Sequence, residues 1–356
     1  MGPPRPGPRG RLAGGPVRAL VLTGPRRAEV LDVDPPSAGP GQVVVAVERV
    51  GLCGTDVEFF TGEMAYLHQG HAAYPLRPGH EWCGTVAEIG EGVDPAWLGR
   101  RVTGDTMLGC GACPRCLRGR HHVCEERHEV GIRRGWAGAL AERLLVPAAS
   151  LHPLPDEVSA AAGALVEPGG NALRAVRAAG AGPGARVAVW GPGTIGLLSA
   201  AFAASAGAEV HLVGPSAYAL AFPRLLGHRN VWTADDLPDL PFDAIIDATN
   251  AADVPARALD LVEPGGRVVY IGLAGRPSLV DTRTLALKDV TAVGVLSGSA
   301  GLRGAVEHYA RGAVDPEPLV AATVGLDQAG DVLAGWRPPG AGPGPKIHVM
   351  TGNGLP

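Results

Sequence analysis

The sequence predicts an α/β protein in two parts, a small irregular β-barrel and a doubly wound parallel-sheet domain. Three observations carry that expectation. Residues 17–157 read as short strands broken by Gly/Pro turns. From about residue 159 strands alternate with helices. The run Gly191-Pro-Gly193-Thr-Ile-Gly196 stands where a strand passes into a helix. A length of 356 residues suits two domains.

In the barrel part, 17–23, 42–50 and 85–89 are rich in strand formers, and Gly39-Pro-Gly41 and Gly90-Glu-Gly92 punctuate them. In the second part an Ala-rich helix is expected over 160–179. Strands follow at 186–190, 209–213, 242–248, 267–273 and 290–296. Several are near-continuous apolar runs, the pattern of parallel strands buried on both faces. A helix over 302–310 and a last strand at 346–350 complete the order, and the strand at 290–296 is the expected sheet edge for pairing with a second copy.

Composition excludes several classes. Charged residues make up 19% and the net charge is -4, so there is no basic footprint for nucleic acid. Only Lys288 and Lys346 among the 31 basic residues are lysines. Residues 1–16 are mostly Gly, Pro and Arg, which predicts a disordered tail without the apolar stretch of a secretion signal, and hence a cytoplasmic protein. Between Arg186 and Glu209 there is no charge, a length that could span a membrane. Gly191, Pro192, Gly193 and Gly196 interrupt it, and a buried strand, a tight turn and a buried helix account for it better.

Four of the six cysteines, Cys110, Cys113, Cys116 and Cys124, are spaced so that one loop can wrap four sulfurs around a single ion. Four thiolates suit tetrahedral zinc and leave no open position, which makes such a site structural. The following Glu125 and the longer last gap separate the run from the bacterial ferredoxin pattern. Cys83 reads as a small buried hydrophobe.

A second donor set is spread more widely. Cys53 lies in Gly-Leu-Cys53-Gly-Thr55-Asp56, His80 and Glu81 lie in Pro-Gly-His80-Glu81-Trp82, and Glu167 precedes Pro168. A thiolate, an imidazole and carboxylates form a set suited to a zinc ion that keeps one position open for chemistry. In the Gly191–Gly196 run the first glycine allows the turn, the second admits a pyrophosphate to the backbone, and the third lets helix and strand pack. Thr194 and Ile195 complete this cofactor-binding turn. After the second strand of that domain comes Gly214-Pro-Ser216, with no acid to hold a ribose 2′-hydroxyl. Gly214 is read as leaving room for a 2′-phosphate and Ser216, Tyr218 or Arg224 as contacting it, which favours NADP over NAD.

Taken in this order, the segments resemble the zinc-containing branch of the medium-chain dehydrogenase/reductase family over nearly the whole chain, most of all its polyol, sugar and threonine dehydrogenases. A looser likeness, around Gly79-His80-Glu81-Trp82, is to the 2-deoxy-scyllo-inosamine dehydrogenases. The resemblance implies a Rossmann domain, 158–299, inserted in a GroES-like β-barrel catalytic domain, 17–157 and 300–356, with a structural zinc lobe at about 105–128. It also implies two zinc ions per chain and a homodimer or homotetramer. Cys53, His80, Glu81 and Glu167 fall at the catalytic metal, and Cys110, Cys113, Cys116 and Cys124 at the structural one.

The implied reaction is reversible oxidation of a secondary alcohol of a polyol, sugar or cyclitol to a ketone, with hydride passed to NAD(P). Thr55 takes the alcohol proton and Glu58 relays it outward. Two departures stand out. Many members carry a histidine where this chain has Glu58. Gly169-Gly170-Asn171 follows Glu167-Pro168 where the family usually has a leucine, which bears on the pocket floor. Phe59, Tyr66, His68, Trp82 and Trp136 are the expected pocket side chains. The alternatives are an NADPH-dependent reductase of a carbonyl or activated alkene, a zinc-ribbon binding protein, and a member that binds cofactor without turnover.

Overall fold

The structure, a computed structural model, describes residues 15–352. The expected tail, 1–16, therefore lies outside the described residues except for its last two. The chain divides into two compact units, one running to Glu167 and resuming over Val320–Gly342 and from Lys346, the other holding Pro168–Leu319 and Pro343–Pro345.

The first unit is built on a seven-stranded sheet. Its strand order is Val320–Gly325, Lys346–Met350, Gln42–Gly51, Glu81–Ile89, Arg101–Gly104 and Leu151–Pro153, with Arg143–Pro147 also pairing with Gln42–Gly51. Val43, Val45, Val47 and Val50 of the Gln42–Gly51 strand sit in the core with Trp82, Val86, Leu144, Val146 and Val349. Strict alternation fails there because the register slips at Val44/Val45 and Val47/Arg49, where bulges turn the strand. A separate hairpin pairs Val17–Gly24 with Arg27–Val33. The short pair Met107–Leu108 and His128–Glu129 flanks the cysteine loop.

The second unit is a six-stranded parallel sheet in the order Val231–Thr233, Glu209–Gly214, Arg186–Trp190, Phe242–Asp247, Val262–Tyr270, Thr291–Gly294. Numbered within the unit this is 3-2-1-4-5-6, the order of a Rossmann fold. Val187, Ala188, Val189, Ile245 and Ile246 are wholly buried, as a strand covered on both faces requires. The expected edge strand is shorter than its apolar run, Thr291–Gly294, and does lie at the sheet's end. Val231–Thr233 has only three residues, too few to give a periodic signal.

The expected 160–179 helix is two helices, Ala160–Ala164 and Val166–Ala179. Pro168 has no N–H to give to a preceding turn, so the chain breaks at Leu165 and restarts with the proline in a first turn. Gly169 also has a packing reason. A Cβ there would lie 2.1 Å from the Tyr309 hydroxyl oxygen and 3.3 Å from Ala305 Cβ, so a leucine cannot stand where Leu302–Ala310 packs. The uncharged stretch after Arg186 is a buried strand, a glycine turn and the helix Thr194–Ser205. No helix among the described residues is long and apolar enough to cross a membrane.

Candidate functional site

Cys53 ends the turn after Gln42–Gly51 and caps the helix Gly54–Thr61. Three residues on, Asp56 turns back, and its Oδ2 accepts the Cys53 N–H at 2.9 Å. Its Oδ1 accepts the Gly79 N–H at 3.1 Å, which ties the His80 loop to the same helix. His80 and Glu81 open the strand Glu81–Ile89, so one helix start and one strand start deliver all three donors. The Cys53 sulfur, a His80 ring nitrogen and a Glu81 carboxylate oxygen lie within 4.8 Å of one another.

The electrostatics fit a cation at that point. Burial opposes the charged form of His80, but Asp56 and Cys53 beside it hold its pKa well above the usual histidine value. Burial likewise opposes the Asp56 carboxylate, and His80 with the two backbone N–H groups holds its pKa below the usual range. Asp56 Oδ1 stands 3.6 Å from His80 Nδ1. A carboxylate behind a ligating histidine fixes its ring and tautomer, the arrangement expected of a metal-binding imidazole. Glu167 is buried in the first turn of Val166–Ala179 and is not one of the three donors that converge.

Thr55 is half-buried on the Gly54–Thr61 helix, two residues after Cys53. Glu58, one turn on, is exposed, and partial desolvation with the nearby Glu63 raises its pKa. The aromatic neighbours divide. Phe59, Trp82 and Trp136 are buried in the core. The Tyr66 hydroxyl is held by Arg127 at 3.2 Å and by Glu129 at 3.3 Å. His68 is exposed, with Nε2 3.0 Å from the Gly62 carbonyl.

The second donor group is the cysteine lobe. Cys110, Cys113, Cys116 and Cys124 converge, with Sγ–Sγ separations of 4.0 Å for Cys110–Cys116 and 3.8 Å for Cys113–Cys124. Zinc–sulfur bonds of about 2.3 Å make tetrahedral edges of roughly 3.8 Å, so the cage has the right size. The N–H groups of Ala112 and Cys113 bring the Cys110 thiol down to about 6. Burial and the neighbouring thiols push Cys116 up to about 12. Four such thiols ionise together only around a cation. The six cysteines are all free thiols.

In the second unit the glycine turn shows the expected division of labour. Gly191 has φ +97°, and a Cβ there would meet the Ala248 carbonyl at 2.8 Å. Nothing lies within 4 Å of a Cβ at Gly193, which leaves the backbone open to a ligand at the start of Thr194–Ser205. A Cβ at Gly196 would fall 1.8 Å from the Gly191 carbonyl oxygen. Thr194 and Ile195 are half-buried in the first turn. Gly214 has a different basis from the one its sequence suggests. A Cβ there would lie 2.6 Å from Leu220 and 3.1 Å from Pro192, so those side chains fill the space and the glycine serves packing. Ser216 Oγ accepts the Ala219 N–H, Tyr218 is exposed, and Arg224 donates to the Val231 carbonyl.

Asp56 and Lys346 have places at the metal cluster that the motif reading did not assign. Asp56 was legible as a capping residue three positions after Cys53. Lys346, whose ammonium donates to Glu81 Oε1 at 2.8 Å, lies 265 residues from it, and its rarity as one of two lysines was the only signal.

Comparison with known proteins identifies both domains. Residues 39–156 match the alcohol dehydrogenase GroES-like domain and residues 194–311 the zinc-binding dehydrogenase domain. An L-threonine 3-dehydrogenase of Mesorhizobium japonicum is 32% identical over 254 residues, 68% of this chain and 72% of its own. A zinc-binding dehydrogenase of Sinorhizobium meliloti 1021, solved bound to NADP, is 28% identical with a TM-score of 0.85, over 95% of this chain and 100% of that one. Alcohol dehydrogenase TADH from Thermus sp. ATN1 is 26% identical with a TM-score of 0.84, over 94% and 99%. A GroES-like domain together with a Rossmann-like domain makes this an NAD(P)-dependent alcohol oxidoreductase, and the chain belongs to the zinc-dependent medium-chain dehydrogenase/reductase family.

Proposed function

We propose that this enzyme oxidises one secondary hydroxyl of a polyol, sugar or cyclitol to a ketone, reversibly, with NADP preferred over NAD. The observation that carries the reading is the cluster of Cys53, His80 and Glu81 at the start of the helix that bears Thr55. A zinc ion bound there would supply Lewis acidity that makes the alcohol easier to deprotonate. Cys53, His80 and Glu81 would hold the ion, and Asp56 orients His80. Thr55 accepts the hydroxyl proton and passes it outward to Glu58, whose raised pKa suits a carboxylate that takes and returns protons. A bound nicotinamide would supply the two-electron acceptor for the substrate's C–H hydride, and the hydroxyl proton would go to solvent through Thr55 and Glu58.

Cys110, Cys113, Cys116 and Cys124 hold a second, structural zinc, which their separations and free thiols support. A lobe of reduced thiols suits the cytoplasm. Gly191, Gly193, Thr194, Ile195 and Gly196 form the pyrophosphate turn. The preference for NADP rests on the missing acid after Glu209–Gly214 and on the relative solved with NADP. A second copy of the chain pairs at the edge strand Thr291–Gly294, where Leu279 and Leu287 are exposed.

The test is the absorbance of reduced nicotinamide, with NADP and NAD each offered against polyols, sugars, cyclitols, amino-cyclitols and L-threonine. Turnover with a polyhydroxylated substrate, faster with NADP, is the expected result. Turnover with L-threonine alone, or silence with both zinc sites filled, overturns this substrate class.

A further inference from the structure

The second unit carries a cavity apart from its glycine turn. The strands Val231–Thr233 and Phe242–Asp247 are joined by eight residues, 234–241, that form no helix. A connection between parallel strands usually carries one. Here Pro238 and Pro241 stand three apart, and each lacks the N–H that a helix interior needs, so no run is long enough. A cavity of about 430 Å³ lies between this loop and the end of the helix Val254–Leu261. None of Gly191, Gly193, Gly196, Gly214 and Ser216 lines it.

The lining has three chemical parts. Leu237, Leu240 and Leu261 make an apolar wall. Arg257 is the second part, with its guanidinium 5.2 Å from the centre of the Trp190 ring. That contact steadies a planar fork of donors. Yet among the described residues the guanidinium makes no hydrogen bond and no ion pair. Lys288, the other cation of the lining, is already engaged. Its ammonium donates to the carbonyl oxygens of Leu259 at 3.3 Å, Asp260 at 2.6 Å and Val262 at 2.9 Å. The third part is acidic. Asp239, Asp260 and Glu263 line the cavity with exposed side chains, and among the described residues none has a cation within ion-pair distance.

Two cations and three carboxylates leave the lining with one negative charge in excess, which disfavours a dianion such as phosphate. A free guanidinium fork matches a carboxylate through two parallel N–H···O bonds. Free carboxylates match an ammonium, and the leucines match an alkyl group. A small molecule that carries all three features satisfies the whole lining. We propose that this cavity binds an α-amino acid with an apolar side chain, as the zwitterion. The carboxylate sits on Arg257, the ammonium among Asp239, Asp260 and Glu263, and the side chain against the leucines. This site is separate from the alcohol chemistry and does not depend on it.

Equilibrium dialysis of labelled L-leucine against the full chain with its zinc tests the proposal. Saturable binding is expected. 4-Methylpentanoate, which lacks the ammonium, and 3-methylbutylamine, which lacks the carboxylate, should each compete at least about tenfold less well, the usual loss for a missing charge-assisted hydrogen bond. Arg257→Met should weaken binding by a similar factor, and Cys53→Ala should bind as wild type does. Should Arg257→Met not fold, Leu240→Trp, which fills the cavity, decides by the same loss. Absence of saturable binding, equal competition by either analogue, or undiminished binding in the folded variant overturns the proposal. Loss of binding in Cys53→Ala would place L-leucine at the metal cluster and overturns it too.

Discussion

Asp56 and His80 face one another in the buried part of the first unit, with Oδ1 3.6 Å from Nδ1, while the same carboxylate holds the N–H groups of Cys53 and Gly79. One side chain thereby fixes the helix that Cys53 caps and the loop that carries His80. Asp56→Ala frees both at once. Partners that orient metal ligands are worth about 10–100-fold in metal affinity. Zinc affinity at this site is expected to fall by that range, with zinc in the cysteine lobe retained. Competition with a chromophoric chelator measures it, and unchanged affinity would place Asp56 in folding alone.

Thr55→Ala removes a hydroxyl from the helix that Cys53 caps and leaves Cys53, His80 and Glu81 in place. Turnover is expected to fall about 10²–10⁴-fold, the usual loss of a general base, with metal content unchanged. Metal analysis beside steady-state kinetics separates the two. Normal turnover would remove Thr55 from the proton relay.

Cys113 caps the short helix Pro114–Leu117 through its sulfur, which accepts the Cys116 N–H at 3.4 Å. Cys113→Ala breaks a four-sulfur cage and is expected to release one zinc. Metal free energy in such sites is folding free energy. A loss of about 3 kcal/mol lowers the melting midpoint by roughly 6–12 °C in a domain of this size. Zinc content and thermal melts check this. A variant that folds like wild type but has no activity would mean that the cysteine lobe, and not the Cys53 cluster, is catalytic.

His348 is wholly buried with neither ring nitrogen hydrogen-bonded, and burial, with Lys346 and Arg49, pushes its pKa down to about 3. The unfolded chain takes up this proton near pH 6.5 and the folded chain does not. Stability is therefore lost as pH falls from 6.5 towards 3, by about 2 kcal/mol at pH 5. His348→Leu also removes two unpaired polar atoms and is expected to flatten this acid limb. Urea melts at pH 7 and pH 5 measure it, and an equal pH slope in both proteins would show that another group is responsible.

Much of the fold was legible because it is local. The glycine turn, the first buried parallel strands and the final strand Lys346–Met350 are each set by residues near in sequence and sit where their pattern places them, whereas the strand expected at 267–273 runs over Val262–Tyr270. The cysteine lobe was equally legible, since four thiols within 15 residues can reach one ion whatever the rest of the chain does. The break at Leu165 was hidden by an Ala-rich run whose helix propensity masked the effect of Pro168. The aromatic side chains near the metal residues were ambiguous for a different reason. Their burial depends on which face of the sheet is covered, and Phe59, Trp82 and Trp136 lie in the core.

Sequence by itself determined the donor types, their order and the dinucleotide turn, because metal coordination and phosphate binding restrict the residue types that serve them. Tertiary structure decided what surrounds those donors. Lys346 meets Glu81 only because the last strand pairs with Gln42–Gly51, a register no local signal encodes. Gly214 and Gly169 owe their lack of a side chain to Leu220, Pro192 and Tyr309, neighbours supplied by folding. Local patterns fix conformation over a few residues, whereas contacts between distant segments depend on which surfaces are buried together.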